Sequence, residues 1–172
     1  HSENKKGEAC PSRRFFAALQ LPTLKAVGSC VLYGETGINI EGLAIQTNGT
    51  ALIGFRKPAG RMDTLENPQG VLKGEPPKWG KPQKTPGAVR DLCVDSKGRL
   101  LMLVSGNKLF CDGNEIPLSL PSDFNAEAVV EDIAGKRLIL ISDDGTRLFD
   151  GVENKRLPPE RQTFRLATAP IP

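Results

Sequence analysis

Glu41, Arg90 and Glu127 are charged residues standing at the same place in three copies of one pattern. Each lies two positions before an aliphatic residue (Leu43, Leu92, Val129), which is followed six positions later by a glycine (Gly49, Gly98, Gly135). Arg56 closes the second apolar run of the first copy, and the acidic pair Asp143-Asp144 closes that of the third. Carboxylates gathered around one axis suit a hard cation such as Ca²⁺, which takes six to eight oxygens. Arginines in the same place suit an anionic group held by two parallel N–H bonds. The candidate ligand-binding set is therefore Glu41, Arg56, Arg90, Asp91, Glu127 and Asp143, with Glu41, Glu127 and Asp143 as the metal candidates and Ca²⁺ as the fitting ion. The alternative is structural: the charges pair with one another and lock neighbouring repeats together.

Other chemistries lack their parts. A nucleophilic triad needs a base that takes a proton near neutral pH, usually histidine, and the sole histidine is His1. Gly80-Lys81 and Gly135-Lys136 lack the spacing of a phosphate-cradling loop. Four cysteines include no Cys-x-x-Cys pair, which argues against zinc. Cys93 holds the place of Ala44 and Val130 and reads as a small buried residue. Cys93 and Cys111 are expected on the first and third strands of one sheet, about 9.5 Å apart and too far for a disulfide; nothing in the sequence supports a Cys10–Cys30 pair, though it stays open. Lys78, Lys81 and Lys84 surround Trp79, but one aromatic residue and a net charge of +3 argue against a nucleic-acid partner. Asn48-Gly49-Thr50 matches a glycosylation sequon and is better explained as a turn.

The elements that must position the charges are strands. Apolar residues occupy odd and even positions alike in runs such as Leu100–Val104, so such strands are covered on both faces. Glycine between two such runs signals a hairpin, most strongly at Asn48-Gly49. A second echo, Leu109-Phe110-Cys111-Asp112-Gly113 and Leu148-Phe149-Asp150-Gly151, adds another hairpin, giving four strands per repeat. The glycines recur at intervals of 49 and 37 residues, within the range of propellers and solenoids. The expected fold is all-β and β-propeller-like, with three to four blades of antiparallel strands in an incomplete ring; a β-sandwich is the alternative. In a propeller the inner strands converge, so equivalent charges would meet at a central channel.

Residues 1–172 read as one propeller-like domain, with repeats near 38–56, 89–118 and 126–152 and a Pro/Gly-rich insertion at 57–87, where six prolines and five glycines interrupt any period. Residues 1–12 read as a polar loop, and Phe15–Leu21 as a strand. Thr163–Ala167 reads as a last strand closing the final sheet. A hydrophobic content of 38% permits a core, and no apolar run approaches the 18 residues of a membrane span, so no membrane insertion is expected.

The phrases INIEGLAI (Ile38 to Ile45), LIGFRKP (Leu52 to Pro58), VRDLCVD (Val89 to Asp95), FNAEAV (Phe124 to Val129) and ISDDG (Ile141 to Gly145) together resemble a bacterial domain-of-unknown-function family of propeller-like proteins. Val89 stands where that family usually has Ile. The resemblance implies that the chain is the C-terminal portion of the family domain, with two further blades ahead of it or a companion chain as partner. It implies no established activity, and it leaves bacterial cytoplasm and periplasm both open. The expectation is a ligand-binding or scaffold module with a charged channel and a small anionic ligand. A looser similarity through Glu-Gly-Leu-Ala (Glu41–Ala44) to phytase-like esterase propellers implies, as the alternative, metal-assisted hydrolysis of anionic esters.

Overall fold

The structure, a computed structural model, describes residues 14–20, 25–33 and 37–172, the first two stretches as backbone alone apart from Tyr33. The expectations for residues 1–12, His1 and the Cys10–Cys30 pair lie outside the described residues.

Strands β1 (Arg14–Gln20) and β2 (Lys25–Tyr33) pair antiparallel and lead into β3 (Asn39–Ile45). β3 forms a four-stranded antiparallel sheet, in spatial order, with β4 (Ala51–Lys57), β5 (Arg61–Leu65) and β6 (Gln83–Lys84). A second sheet of the same kind follows: β7 (Val89–Val94), β8 (Leu100–Val104), β9 (Lys108–Cys111) and β10 (Asn114–Ile116). The third sheet contains β11 (Ala126–Asp132) and β12 (Arg137–Ser142). Beyond them β13 (Leu148–Phe149) pairs with β14 (Val152–Glu153) as a separate ribbon, and β15 (Leu166–Pro170) adds to β12. β3 packs beside β7 and β7 beside β11. The fold is all-β and propeller-like, with the three larger sheets as blades and the first strand of each innermost.

Turn chemistry fixes the hairpins. Gly49 (φ 85°) and Gly98 (φ 79°) supply the left-handed residue of their turns. Asn48 does not share that conformation; its side chain accepts the Thr50 N–H at 3.0 Å. In the third copy the strand runs further and Lys136 (φ 50°), not Gly135, takes the left-handed place. Asp112-Gly113 and Asp150-Gly151 each have two successive positive φ values, the signature of a two-residue hairpin turn.

Three expectations about these strands need correction. The stretch 57–87, read as an insertion, supplies the outer strands β5 and β6 of the first blade and the short helix α1 (Pro68–Leu72). Its prolines and glycines fall outside the strands, in turns and in α1, and mask the short strands between them. The Leu148–Gly151 hairpin does form, but it stands apart from β12 and β15 takes the third place. β15 also begins three residues later than the strand read at Thr163–Ala167.

The core lies between blades. Ala44, Leu52 and Met62 of the first meet Val89, Leu92, Met102, Val104 and Phe110 of the second. The opposite face of the second, Leu101, Leu103, Leu109 and Cys111, meets Ala126, Val129, Leu138 and Leu140 of the third. This two-sided burial is what the unbroken apolar run Leu100–Val104 requires. Each fully buried aliphatic side chain contributes about 1.5–3 kcal/mol. Close approach of the first two blades depends on Gly42 and Gly54, where an added Cβ would fall 2.7 Å from Leu92 Cγ and 2.5 Å from Val89 Cγ1.

Candidate functional site

The pairing register of each inner strand contains an irregularity at the charged residue. Ile40 faces Phe55 and Gly42 faces Gly54, leaving Glu41 without a partner. Val89 faces Val104 and Asp91 faces Leu103, leaving Arg90. Ala126 faces Ser142 and Ala128 faces Ile141, leaving Glu127. A bulge re-aims the side chain of the extra residue, so three bulges at one repeat position direct three charges toward a common line.

Along that line the charges alternate. Arg56 Nη1 donates to Glu41 Oε1 at 2.7 Å. Arg90 Nη1 lies 3.6 Å from Glu41 Oε2 and donates to Glu127 Oε1 at 2.6 Å. Asn39 and Asn125 each donate to the glutamate two positions on, at 3.2 and 3.1 Å. The order Arg56–Glu41–Arg90–Glu127 thus crosses all three blades. Arg90 is the least exposed member at 15%, while Arg56 is 41% exposed. Glu41 Oε2 is buried and accepts no hydrogen bond, so its compensation is the longer ionic contact with Arg90. The hydrogen bond and charge of Glu41 raise the Arg56 pKa, with the more distant Glu127 and Asp143 adding to the effect.

Asp91 takes a different place. Its Oδ2 accepts the Val129 N–H at 2.8 Å and its Oδ1 the Leu92 N–H at 2.9 Å, which fastens β11 to β7. Burial pushes the Asp91 carboxyl above its ordinary range, against the pull of those two N–H groups. Asp143 follows β12, its Oδ1 accepting the Gly145 N–H at 2.8 Å. A cavity of about 240 Å³ opens there, lined by Asp143, Lys155, Gln162 and Phe164 among others. A larger cavity of about 460 Å³ is lined by Arg99 of the β7–β8 turn, by Cys111 and Ile116 on the outer strands and by none of the charged line.

Among the described residues no group of three or more His, Cys, Asp or Glu side chains is placed to hold a metal ion. The carboxylates of Glu41 and Glu127 face arginines instead. Cys93 and Cys111 are free thiols, and burial raises both pKa values, which disfavours the reactive thiolate. Trp79 is tilted against the Tyr33 ring at 5.4 Å and bridges to Leu65.

Sequence reasoning missed two sets of residues. Asn39 and Asn125 carried a signal, the shared Asn-x-Glu of the first and third repeats. The other set is Arg165 and Asp123, which form a clamp with buried Asp144: Arg165 grips Asp144 at 2.8 Å and Asp123 at 3.0 Å. Asp144 is therefore turned from the charged line; Arg165 holds its carboxyl below the usual range.

An all-β, propeller-like class is what the fold and this site define. No family model and no curated protein matches the chain. Solved structures it is similar to include the extracellular domain assigned to a hybrid two-component system of B. thetaiotaomicron, at 13% identity and TM-score 0.44, covering 62% of this chain and 14% of that one. A protein of unknown function from Bacteroides caccae is similar at 10% identity and TM-score 0.46, covering 76% and 47%. A catalytically inactive variant of virginiamycin B lyase from Staphylococcus aureus, crystallised with quinupristin, is similar at 14% identity and TM-score 0.43, covering 94% and 46%. The chain thus spans less than half the length of each of these proteins.

Proposed function

We propose that the chain is a propeller-like scaffold and binding module in which the charged line pins three blades in register and Arg56, at its open end, receives one anionic group of a small ligand. The observation that carries this reading is the asymmetry of the two arginines. Arg90 is flanked by carboxylates from the blades on both sides, whereas Arg56 meets one carboxylate and remains 41% exposed. A cation already held between two anions stabilises structure; an exposed guanidinium with one partner has donors to offer a ligand.

Inorganic phosphate is the simplest probe. Millimolar phosphate is expected to raise the melting temperature above a chloride control of equal ionic strength, as binding to the native state must, and Arg56→Gln is expected to abolish the rise. Equal melting in phosphate and chloride would remove the ligand and leave the brace. A rise given by Ca²⁺ and lost in Glu41→Gln would instead favour metal binding.

A further inference from the structure

Leu43 and Ile45 are 51% and 50% exposed, although Leu43 stands in the repeat place where Leu92 and Val129 are buried against the preceding blade. The outer half of the same face is covered. Tyr33, at the end of β2, meets Phe55 edge-on at 5.5 Å and donates to Asp63 at 3.0 Å, and Val71 of α1 joins Ile53, Phe55 and Leu65 in one buried cluster. Among the described residues only the inner half stands open.

Topology shows what would fit there. β5–β6 lead into β7, and β9–β10 lead into β11, so the outer pair of one blade always precedes the inner strand of the next. β1–β2 lead into β3 in the same manner and form a two-stranded sheet with no inner pair beside them among the described residues. In the first blade, the inner pair β3–β4 is what carries Gly42 and Gly54, the notch that takes Leu92.

We infer that the edge of β1 and the Leu43–Ile45 surface form one slot that takes a β-hairpin, which adds to β1 as a sheet-extending pair and lays glycines against Leu43. Exposed strand edges accept such additions through main-chain hydrogen bonds. The interface would continue the one already built between the first and second blades. A second copy of this chain fits less well: its open face, on the third blade, has Ala128 and Ile141 in the register of Gly42 and Gly54, and the Ile141 side chain occupies the notch.

The test fuses an extra copy of residues 38–57, which carries the glycine notch, through a Gly/Ser linker ahead of the full chain. The melting temperature is expected to rise by about 5 °C or more. The rise should vanish with Leu43→Asp in the full chain, and equally with Gly42→Val and Gly54→Val confined to the added copy. Leu43→Asp without the fusion should melt within about 1 °C of the parent, as an exposed site allows. A backbone-cyclised peptide of residues 38–57, titrated against the unfused chain, should give the same Leu43-dependent rise. No rise in either format, or one that survives Leu43→Asp, would overturn the inference. So would an unfused chain that sediments as a dimer split by Leu43→Asp, which would make a second copy the occupant.

Discussion

Arg90 and Glu127 lie 37 residues apart in the chain and 2.6 Å apart in space, brought together by facing irregularities in β7 and β11. With Glu41 on its other side, Arg90 is the cation shared by three blades. Replacing it with Met keeps much of the side-chain volume and leaves two partly buried carboxylates without it. The expected loss is about 2 kcal/mol, measured by urea denaturation. Arg56→Gln, at the exposed end, should cost no more than about 0.5 kcal/mol.

Acid should loosen the Arg165 clamp. Asp144 and Asp123 are both held below the ordinary carboxylate range by the Arg165 guanidinium, so each contributes stability that is present above the unfolded value near ~3.9 and lost as pH falls through the folded one. Asp91 has the opposite sign: burial raises its folded pKa, so it favours folding when protonated and offsets part of the loss. Melting temperature should therefore fall as pH drops below about 4. The fall should be shallower in Asp144→Asn, which starts from a lower melting temperature. Parallel curves for the two proteins would contradict the clamp.

Asp91 is expected to act through β11 and not through a ligand. Asp91→Ala strips the Val129 N–H of its acceptor, at a cost of about 1–3 kcal/mol. Phosphate binding at Arg56, where it occurs, should be unchanged. Lost stability together with lost binding would place Asp91 in the binding site.

The glycine notch offers a sharper contrast. Gly54→Ala would set a Cβ 2.5 Å from Val89 Cγ1, and such overpacking costs about 1–3 kcal/mol. At Gly49 an added Cβ meets nothing within 4 Å, but φ is 85°, so the cost there is local backbone strain of about 1–2 kcal/mol. In a compensating double variant, Val89→Ala should recover part of the Gly54→Ala loss and none of the Gly49→Ala loss.

Much of this architecture was legible because repeats constrain one another. The match of Leu43, Leu92 and Val129 located three inner strands, and the same match put Glu41, Arg90 and Glu127 at one level. What remained hidden has physical reasons. β5 and β6 are short and sit among prolines, so no period reveals them. The bulges leave no mark in composition, and they decide that the charges meet along a line. The Arg165 clamp joins residues 42 and 21 positions apart through a residue just ahead of β15, outside the repeat pattern. Sequence position groups Asp91 with the channel charges beside Arg90, yet its carboxylate turns to the Val129 backbone.

The most direct test of the charged line is a double-mutant cycle on Arg90→Met and Glu127→Gln, each measured by urea denaturation. If the two side chains brace the second blade against the third, the single losses should overlap, with a coupling energy of about 1–2 kcal/mol. Losses that add to within about 0.3 kcal/mol would mean that the two groups do not support one another, and the brace across the three blades would be contradicted.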